Sequence, residues 1–99
     1  MQSKLTGKQR RHLKGLAHHL KPVVQVGGKG VTAEVFGKIA TELEIHELIK
    51  VKVLEASLLK AKEVASELAE GSKSQVAQVI GRMVVLYRPR EEDPTIQLP

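Results

Sequence analysis

The protein has 99 residues, of which 41% are hydrophobic and only 2% aromatic, and its formal net charge is +5. This length suits one small domain with a core of Val, Leu, Ile and Ala, and is short for a two-lobed enzyme. The absence of cysteine excludes a disulfide framework, thiol redox chemistry and a Cys-based zinc site. The N-terminus is basic and polar without a long apolar segment. We therefore expect neither a signal peptide nor a membrane span, and a cytoplasmic location.

Positive charge is concentrated in the first third of the chain. Residues 1–30 contain seven basic residues and no acid, whereas residues 31–71 are net acidic. Such a concentration attracts polyanions, and nucleic acid is the usual one. The alternative is a basic helix whose charges are merely solvated.

A first helix is predicted from about Gly7 to His19. Thr6 and Gln9 fit a capping box. Apolar residues follow at helical spacing and are expected to be buried: Leu13, Leu16, Ala17 and Leu20. The opposite face carries basic residues at spacings of three and four: Lys8, Arg11, Lys14 and His18. Lys21-Pro22 ends the helix because the residue before proline is disfavoured in the α region, so a strand over Val23 to Val26 follows.

A second helix and a second strand are predicted next. Thr32 is the expected N-cap, and the helix should end near Ile45 or His46. Its buried face is predicted to comprise Val35, Phe36, Ile39, Ala40 and Leu43. Leu48 to Leu54 alternates with period two, which indicates a half-exposed strand whose outer face carries Lys50 and Lys52.

The last part of the chain predicts a helix and a β-hairpin. Apolar residues repeat at helical intervals from about Leu58 to Glu70, with Ser57 as the expected N-cap and Gly71 as the expected end. Two short apolar runs, Val76 to Ile80 and Met83 to Tyr87, then flank a two-residue turn.

The predicted order of elements is therefore α-β-α-β-α-β-β. This order defines a small α/β domain with a four-stranded mixed sheet, in which strands one and two are parallel and the hairpin adds an antiparallel pair. We place the domain at residues 1–90 and a polar C-terminal tail at residues 91–99, whose acids at 91–93 are poorly suited to contact RNA.

The stretch between the first strand and the second helix has the composition of a phosphate-binding loop. It contains Gly27, Gly28, Lys29 and Gly30. Glycines let a ligand approach the backbone, Lys29 adds a charge, and the helix that begins at Thr32 offers N–H groups and a positive dipole end.

Three interpretations of this loop compete. As Gly27 to Gly30 it fits the GXXG pattern by which some RNA-binding domains clamp a nucleic-acid backbone. As Gly28 to Ala33 it fits the dinucleotide-binding fingerprint G-x-G-x-x-A, and Glu55 stands where a ribose-binding acid could lie. However, 99 residues are too few for the six-stranded sheet of the dinucleotide-binding fold. Alternatively, the glycines only permit a tight turn. The basic first helix favours nucleic acid.

Catalytic and metal sites are not indicated. A Walker A loop is excluded because Gly30 stands where Ser or Thr is needed. The histidines lack the spacing of a zinc helix, and no Ser or Thr has a nucleophile setting beside a base. Tyr87 in an apolar strand is interpreted as packing rather than as a platform for a base. We expect that the protein is not an enzyme and binds neither a cofactor nor a metal.

Several separated blocks resemble, in order, the YhbY proteins, which are stand-alone bacterial members of the CRM domain family. The resemblance covers about residues 4–90, in the blocks Leu16 to His18, Leu20 to Val24, Val26 to Thr32, His46 to Lys52, Gln78 to Arg82 and Val85 to Pro89. It implies the same order of elements, a fold similar to the C-terminal domain of bacterial translation initiation factor three, and RNA binding.

The resemblance also implies a site and a biological role. The GXXG loop of the family falls on Gly27 to Gly30, and its basic surface falls on helix one. The expected RNA-binding residues are then Lys8, Arg11, Lys14, His18, Gly27, Gly28, Lys29, Gly30 and Thr32, with Lys50 and Lys52 added if the outer face of the sheet is open. The implied partner is ribosomal RNA in precursors of the large ribosomal subunit. We separately expect the protein to be a monomer. A nucleotide-binding protein and a protein-interaction module remain the alternatives.

Overall fold

A computed structural model describes residues 4–99 of the protein. Three helices and four strands follow one another in the predicted order, so the predicted α/β class is confirmed. Their bounds are α1 Gly7–Ala17, β1 Pro22–Val26, α2 Ala33–His46, β2 Leu48–Val53, α3 Ala61–Ser72, β3 Gln75–Ile80 and β4 Met83–Tyr87. Among residues 4–99, no helix combines the length and the apolar character needed to cross a bilayer.

The four strands form one mixed sheet in the order β1-β2-β4-β3. β1 and β2 are parallel, as predicted, and β3 and β4 form the predicted antiparallel hairpin, with Gly81 at a φ of 55° in its turn. β2 also pairs antiparallel with β4, which joins the two halves. The sequence did not indicate this central pairing, which leaves β1 and β3 as the edge strands.

The two faces of the sheet bury separate apolar clusters. α2 and α3 cover one face, over alternate β2 residues such as Ile49 and Val51. α1 covers part of the other face, where Leu13 and Ala17 pack against Leu48 and the β4 residues Val85 and Tyr87. Because side chains alternate along a strand, Lys50 and Lys52 lie on the same face as Leu48, and therefore on the face that α1 partly covers.

The predicted ends of helix three were wrong at both termini. Ser57 does not cap it; its Oγ accepts the Leu59 N–H at 3.2 Å and shapes the preceding loop instead. Gly71 lies within α3, and a Cβ there would come within 2.3 Å of the Phe36 ring. The glycine is therefore needed for the packing of α2 against α3, and the helix ends at Ser72, followed by the C-cap Lys73, whose φ of 55° is left-handed.

Candidate nucleic-acid interface

Helix α1 is held in place by its cap and by two buried side chains. The Gln9 N–H donates to Thr6 Oγ1 at 3.1 Å, and the Thr6 N–H donates to Gln9 Oε1 at 3.1 Å, which is the predicted capping box. Leu13 and Ala17 are almost fully buried. Arg10 donates to the Val76 carbonyl on the edge strand β3 and so ties one side of the helix to the sheet.

The face of α1 that points away from the sheet is basic. Its predicted members Lys8, Arg11, Lys14 and His18 are all exposed, and no ion pair links any of them to another part of residues 4–99. We call these four residues the basic face. Because the exposed cations Lys8, Arg11 and Lys14 have no internal ionic partner, they remain available to an external one, and this face is suited to a polyanion.

Two apolar residues of the first helical region are less buried than predicted. Leu16 is 44% exposed and Leu20 is 38% exposed, because only the side of α1 that carries Leu13 and Ala17 faces the sheet. Leu16 lies at the edge of that side, and Leu20 follows the end of the helix.

The glycine loop is a tight turn that connects β1 to α2. The Gly30 N–H donates to the Gly27 carbonyl at 3.0 Å, and Gly30 has a φ of 73°. At Gly30 the backbone itself therefore requires glycine. A Cβ at Gly27 or Gly28 would make ordinary contacts of 3.5 Å with the loop that follows β2, so these two glycines are not required by packing.

A shallow depression lies between the loop and the start of α2. It has a volume of about 220 Å³, and its lining includes Gln25, Gly27, Gly28, Lys29, Gly30, Thr32, Glu34 and Lys38. Thr32 is the predicted N-cap and accepts the Val35 N–H at 3.2 Å. This N–H is therefore already used within the domain, and a ligand would have to bind other groups of the depression.

Sequence reasoning missed two charged side chains in this depression. Lys38 Nζ lies 3.9 Å from Glu34 Oε1, and both side chains are largely exposed. The i,i+4 spacing of the two residues was a signal that could have revealed the pair. Lys38 adds a second cation near Lys29, whereas the Glu34 carboxylate opposes an anion in the same place.

Lys50 and Lys52 connect the two parts of the candidate interface. Lys52 is exposed and pairs in register with Gln25 of β1, while Lys50 is partly buried. β1 has five residues and so spans about 16 Å from the end near α1 to the glycine loop. A strand of nucleic acid that ran from the basic face to the loop would cross the part of the sheet face that α1 leaves uncovered, where Lys52 is exposed and Lys50 lies at the margin.

The remaining expectations concern catalysis, metals and aromatic residues. Residues 4–99 contain no group of three or more His, Asp or Glu side chains arranged to hold a metal ion. Glu55, considered as a ribose-binding acid, is exposed and lies 3.6 Å from the Arg82 guanidinium. Tyr87 is 4% exposed within the cluster under α1, which confirms the packing interpretation. Burial raises the pKa of its hydroxyl, and the nearby Glu47 charge adds to this effect.

A buried acid, Glu47, was not identified from the sequence. It lies between α2 and β2 with a φ of 64° and is fully buried. Its carboxylate accepts N–H groups from Arg90 at 2.8 Å, Thr95 at 2.7 Å and Ile96 at 3.0 Å. Burial raises the pKa of Glu47, but these three hydrogen bonds and the Arg90 charge outweigh burial, so the pKa lies below its ordinary value.

These contacts fix the C-terminal segment, residues 91–99, to the domain. Ile96 and Leu98 pack against the apolar cluster under α1, and Gln9 donates to the Pro99 carbonyl at 3.2 Å. The Arg90 guanidinium donates to the carbonyls of Glu44 and Ile45 near the end of α2. The segment has no helix or strand, yet it is anchored by a buried charge.

The fold and the site together define a class: a small α/β domain whose glycine loop follows the first strand and whose first helix is basic. The family model of the CRS1 / YhbY (CRM) domain matches residues 5–88. The chain therefore belongs to the CRS1 / YhbY (CRM) domain family.

Known proteins of similar sequence and structure agree with this assignment. The chain is 47% identical to Probable RNA-binding protein YqeI of Bacillus subtilis over 95 residues, which is 96% of this chain and 99% of that protein. It is also 47% identical to a protein named RNA-binding protein from Haemophilus influenzae, over 96% of this chain and 95% of that one. The solution structure of SAV1595 from Staphylococcus aureus has a TM-score of 0.82 and 44% identity, covering 97% of this chain and 100% of that chain.

Proposed function

We propose that this protein is a non-catalytic RNA-binding protein. The observation that carries the proposal is the basic face of α1, where exposed cations lie together without an acidic partner among residues 4–99. The names of the relatives from B. subtilis and H. influenzae support RNA as the polyanion.

Binding is expected to be directed at the RNA backbone. Lys8, Arg11 and Lys14 take phosphates by charge, and Lys29 takes another at the glycine loop. Lys50 and Lys52 extend this track across the sheet face that α1 partly covers. Sequence preference should be weak, because Tyr87 is buried and Phe36 packs into the core, which leaves neither aromatic ring free to stack on a base.

The biological target is proposed from the family. We infer that a monomer binds ribosomal RNA in the cytoplasm, during assembly of the large ribosomal subunit. The resemblance to the YhbY proteins implies such precursors as the partner, and membership of the CRS1 / YhbY (CRM) domain family supports this choice.

Two alternative functions have less support from the geometry. A dinucleotide site needs a larger, doubly wound sheet, whereas this sheet has four strands with one parallel pair. Thermal stabilisation of the protein by NAD or ATP would favour a nucleotide binder. Association with ribosomal particles that resists RNase would favour a protein-interaction module.

The test is a salt titration of binding to a fluorescent ribosomal RNA fragment. Affinity should fall steeply between 50 and 200 mM salt, because phosphate contacts release counterions. Replacing Lys8, Arg11 and Lys14 together by Glu should weaken binding by roughly 100-fold while leaving the fold intact.

A matched pair of single substitutions separates location from net charge. Lys14→Glu and Lys62→Glu change the net charge equally, and both residues are exposed lysines on helices, but α1 and α3 lie on opposite faces of the sheet. Only Lys14→Glu should weaken RNA binding clearly. Salt-independent binding, or equal losses for the two variants, would contradict the proposal.

A further inference from the structure

The sheet face that carries α1 is uncovered at the end where β4 begins. Side chains alternate along a strand, so Met83, Val85 and Tyr87 of β4 lie on this face. Val85 and Tyr87 belong to the apolar cluster under α1, whereas Met83 is not among the described residues of that cluster. Met83 is half-buried, and Ile80, its partner across the hairpin, is 59% exposed. We call Met83 and Ile80 the apolar pair.

The pairing register places the apolar pair in one row with residues that lead to the glycine loop. Lys52 of β2 pairs with Gln25 on one side and with Met83 on the other. Paired residues lie on the same face of a sheet and neighbouring strands are about 4.8 Å apart, so the row from Gln25 to Ile80 spans about 14 Å across all four strands. Gln25 also lines the depression beside the glycine loop. The apolar pair is therefore continuous with the proposed RNA-binding surface.

A nucleobase fits the apolar pair better than an apolar protein surface does. The thioether of methionine makes favourable contacts with aromatic rings, and an exposed isoleucine gains free energy when a ring displaces water from it. The exposed Lys52 ammonium lies directly beside the pair. An apolar protein surface would have to desolvate this charge without neutralising it, whereas RNA brings a phosphate with each base.

We propose that Met83 and Ile80 form a base-contact site, on which one unstacked base of single-stranded RNA lies while its flanking phosphates bind Lys52 and the glycine loop. This inference rests on the proposed RNA binding and adds to it a contact that does not depend on charge. Because every base has an apolar face, the site should accept all four bases, in agreement with a weak sequence preference.

The experiment compares Ile80→Thr with Ile45→Thr. The two isoleucines are 59% and 56% exposed, and threonine keeps the β-branched shape in both. Ile45 lies near the end of α2, which packs on the opposite face of the sheet. Ile80→Thr should weaken binding of single-stranded RNA by about threefold, and by about tenfold when combined with Met83→Gln, while Ile45→Thr leaves it unchanged. The slope of affinity against salt should stay that of the wild type, because no ionic contact is removed.

A second measurement uses inorganic polyphosphate, which has the charge of RNA without its bases. All variants should bind it as the wild type does. Thermal unfolding establishes that each variant is folded, and Ile80→Thr alone decides if Met83→Gln disturbs the fold.

The outcomes separate this site from the proposed function. Unchanged RNA affinity in the folded variants, or equal losses for RNA and polyphosphate, would overturn the base contact and leave the proposed RNA binding intact. A wild-type dimer that these substitutions convert to a monomer in sedimentation would assign the apolar pair to self-association instead. Absence of salt-dependent RNA binding by the wild-type protein would overturn both proposals.

Discussion

Helix α1 and the C-terminal segment cover the same apolar cluster. The charges of the basic face of α1 are exposed to solvent, whereas the charges that hold the C-terminal segment in place are bonded within the domain. The cations of the basic face point outwards and are unpaired within the described part of the chain. The charges that hold the C-terminal segment in place are, by contrast, satisfied within the domain: the Glu47 carboxylate is fully buried and accepts three backbone N–H groups, while the Arg90 guanidinium donates to carbonyls of α2. A charge without a partner is available to a ligand, whereas one that is satisfied internally serves the fold.

The largest effect expected from this difference is on stability, at Glu47. Glu47→Ala leaves three partly buried N–H groups without their acceptor and releases the C-terminal segment, so it should lower the free energy of unfolding by about 3 kcal/mol. Chemical denaturation measures this loss. Glu67→Ala, which removes an exposed acid on α3, is the control and should change little. RNA affinity of the folded Glu47→Ala protein should stay close to that of the wild type, and equal stability of the two variants would contradict this role of Glu47.

The pH dependence of stability gives a second test of Glu47. Its pKa is lowered in the folded protein relative to 4.5, so its stabilising contribution is complete above about pH 4.5. This contribution is lost as pH falls through the lower folded pKa, because protonation removes the charge that the N–H groups bind. Glu47→Gln should lack this part of the acid destabilisation. An identical pH dependence in wild type and variant would show that other groups control acid unfolding.

A smaller effect is expected on RNA affinity at the sheet face that α1 partly covers. Replacing Lys50 and Lys52 together by Ala should weaken binding by about tenfold and reduce the salt slope by about 1.4, for two phosphates of a single strand. Stability should change by less than about 0.5 kcal/mol. Lys60→Ala with Lys62→Ala removes the same charge at the same spacing near the start of α3. If both double variants weaken RNA binding equally, the sheet face that carries Lys50 and Lys52 is not a specific RNA-binding surface.

The features predicted correctly from the sequence are those that depend on local signals. The capping box of α1, the N-cap Thr32 and the hairpin turn each involve residues within a few positions of one another. Period-two alternation likewise predicts that Lys50 and Lys52 lie on one face of β2 and that the residues covered by α2 and α3 lie on the other face.

The features that were missed depend on contacts between distant parts of the chain. Glu47 binds N–H groups that lie 43 to 49 residues further along, and nothing near it in the sequence indicates them. The sequence predicts that Gly71 ends a helix. The contact with Phe36 that requires glycine inside α3 arises only where α2 and α3 meet, so the sequence near Gly71 does not indicate it. The pairing of β2 with β4 has the same origin, so the sheet order could not be read from the separate elements.

The smallest effect is predicted for Glu34. Unlike the basic face, which is available for binding, and Glu47, which serves the fold, Glu34 affects both binding and stability. Its carboxylate stabilises the first turn of α2 and pairs with Lys38, yet it lines the depression beside the glycine loop. Glu34→Gln should therefore raise RNA affinity about twofold and lower stability by about 0.4 kcal/mol, because both interactions are exposed to solvent.

Glu42→Gln is the matched control, since Glu42 forms the other i,i+4 pair of α2, with His46 at 3.4 Å, away from the loop. Binding measured at low salt, where screening is weakest, is the sensitive assay. A loss of RNA affinity in Glu34→Gln alone would mean that the depression does not face a phosphate, and the glycine loop would then serve only as the turn into α2.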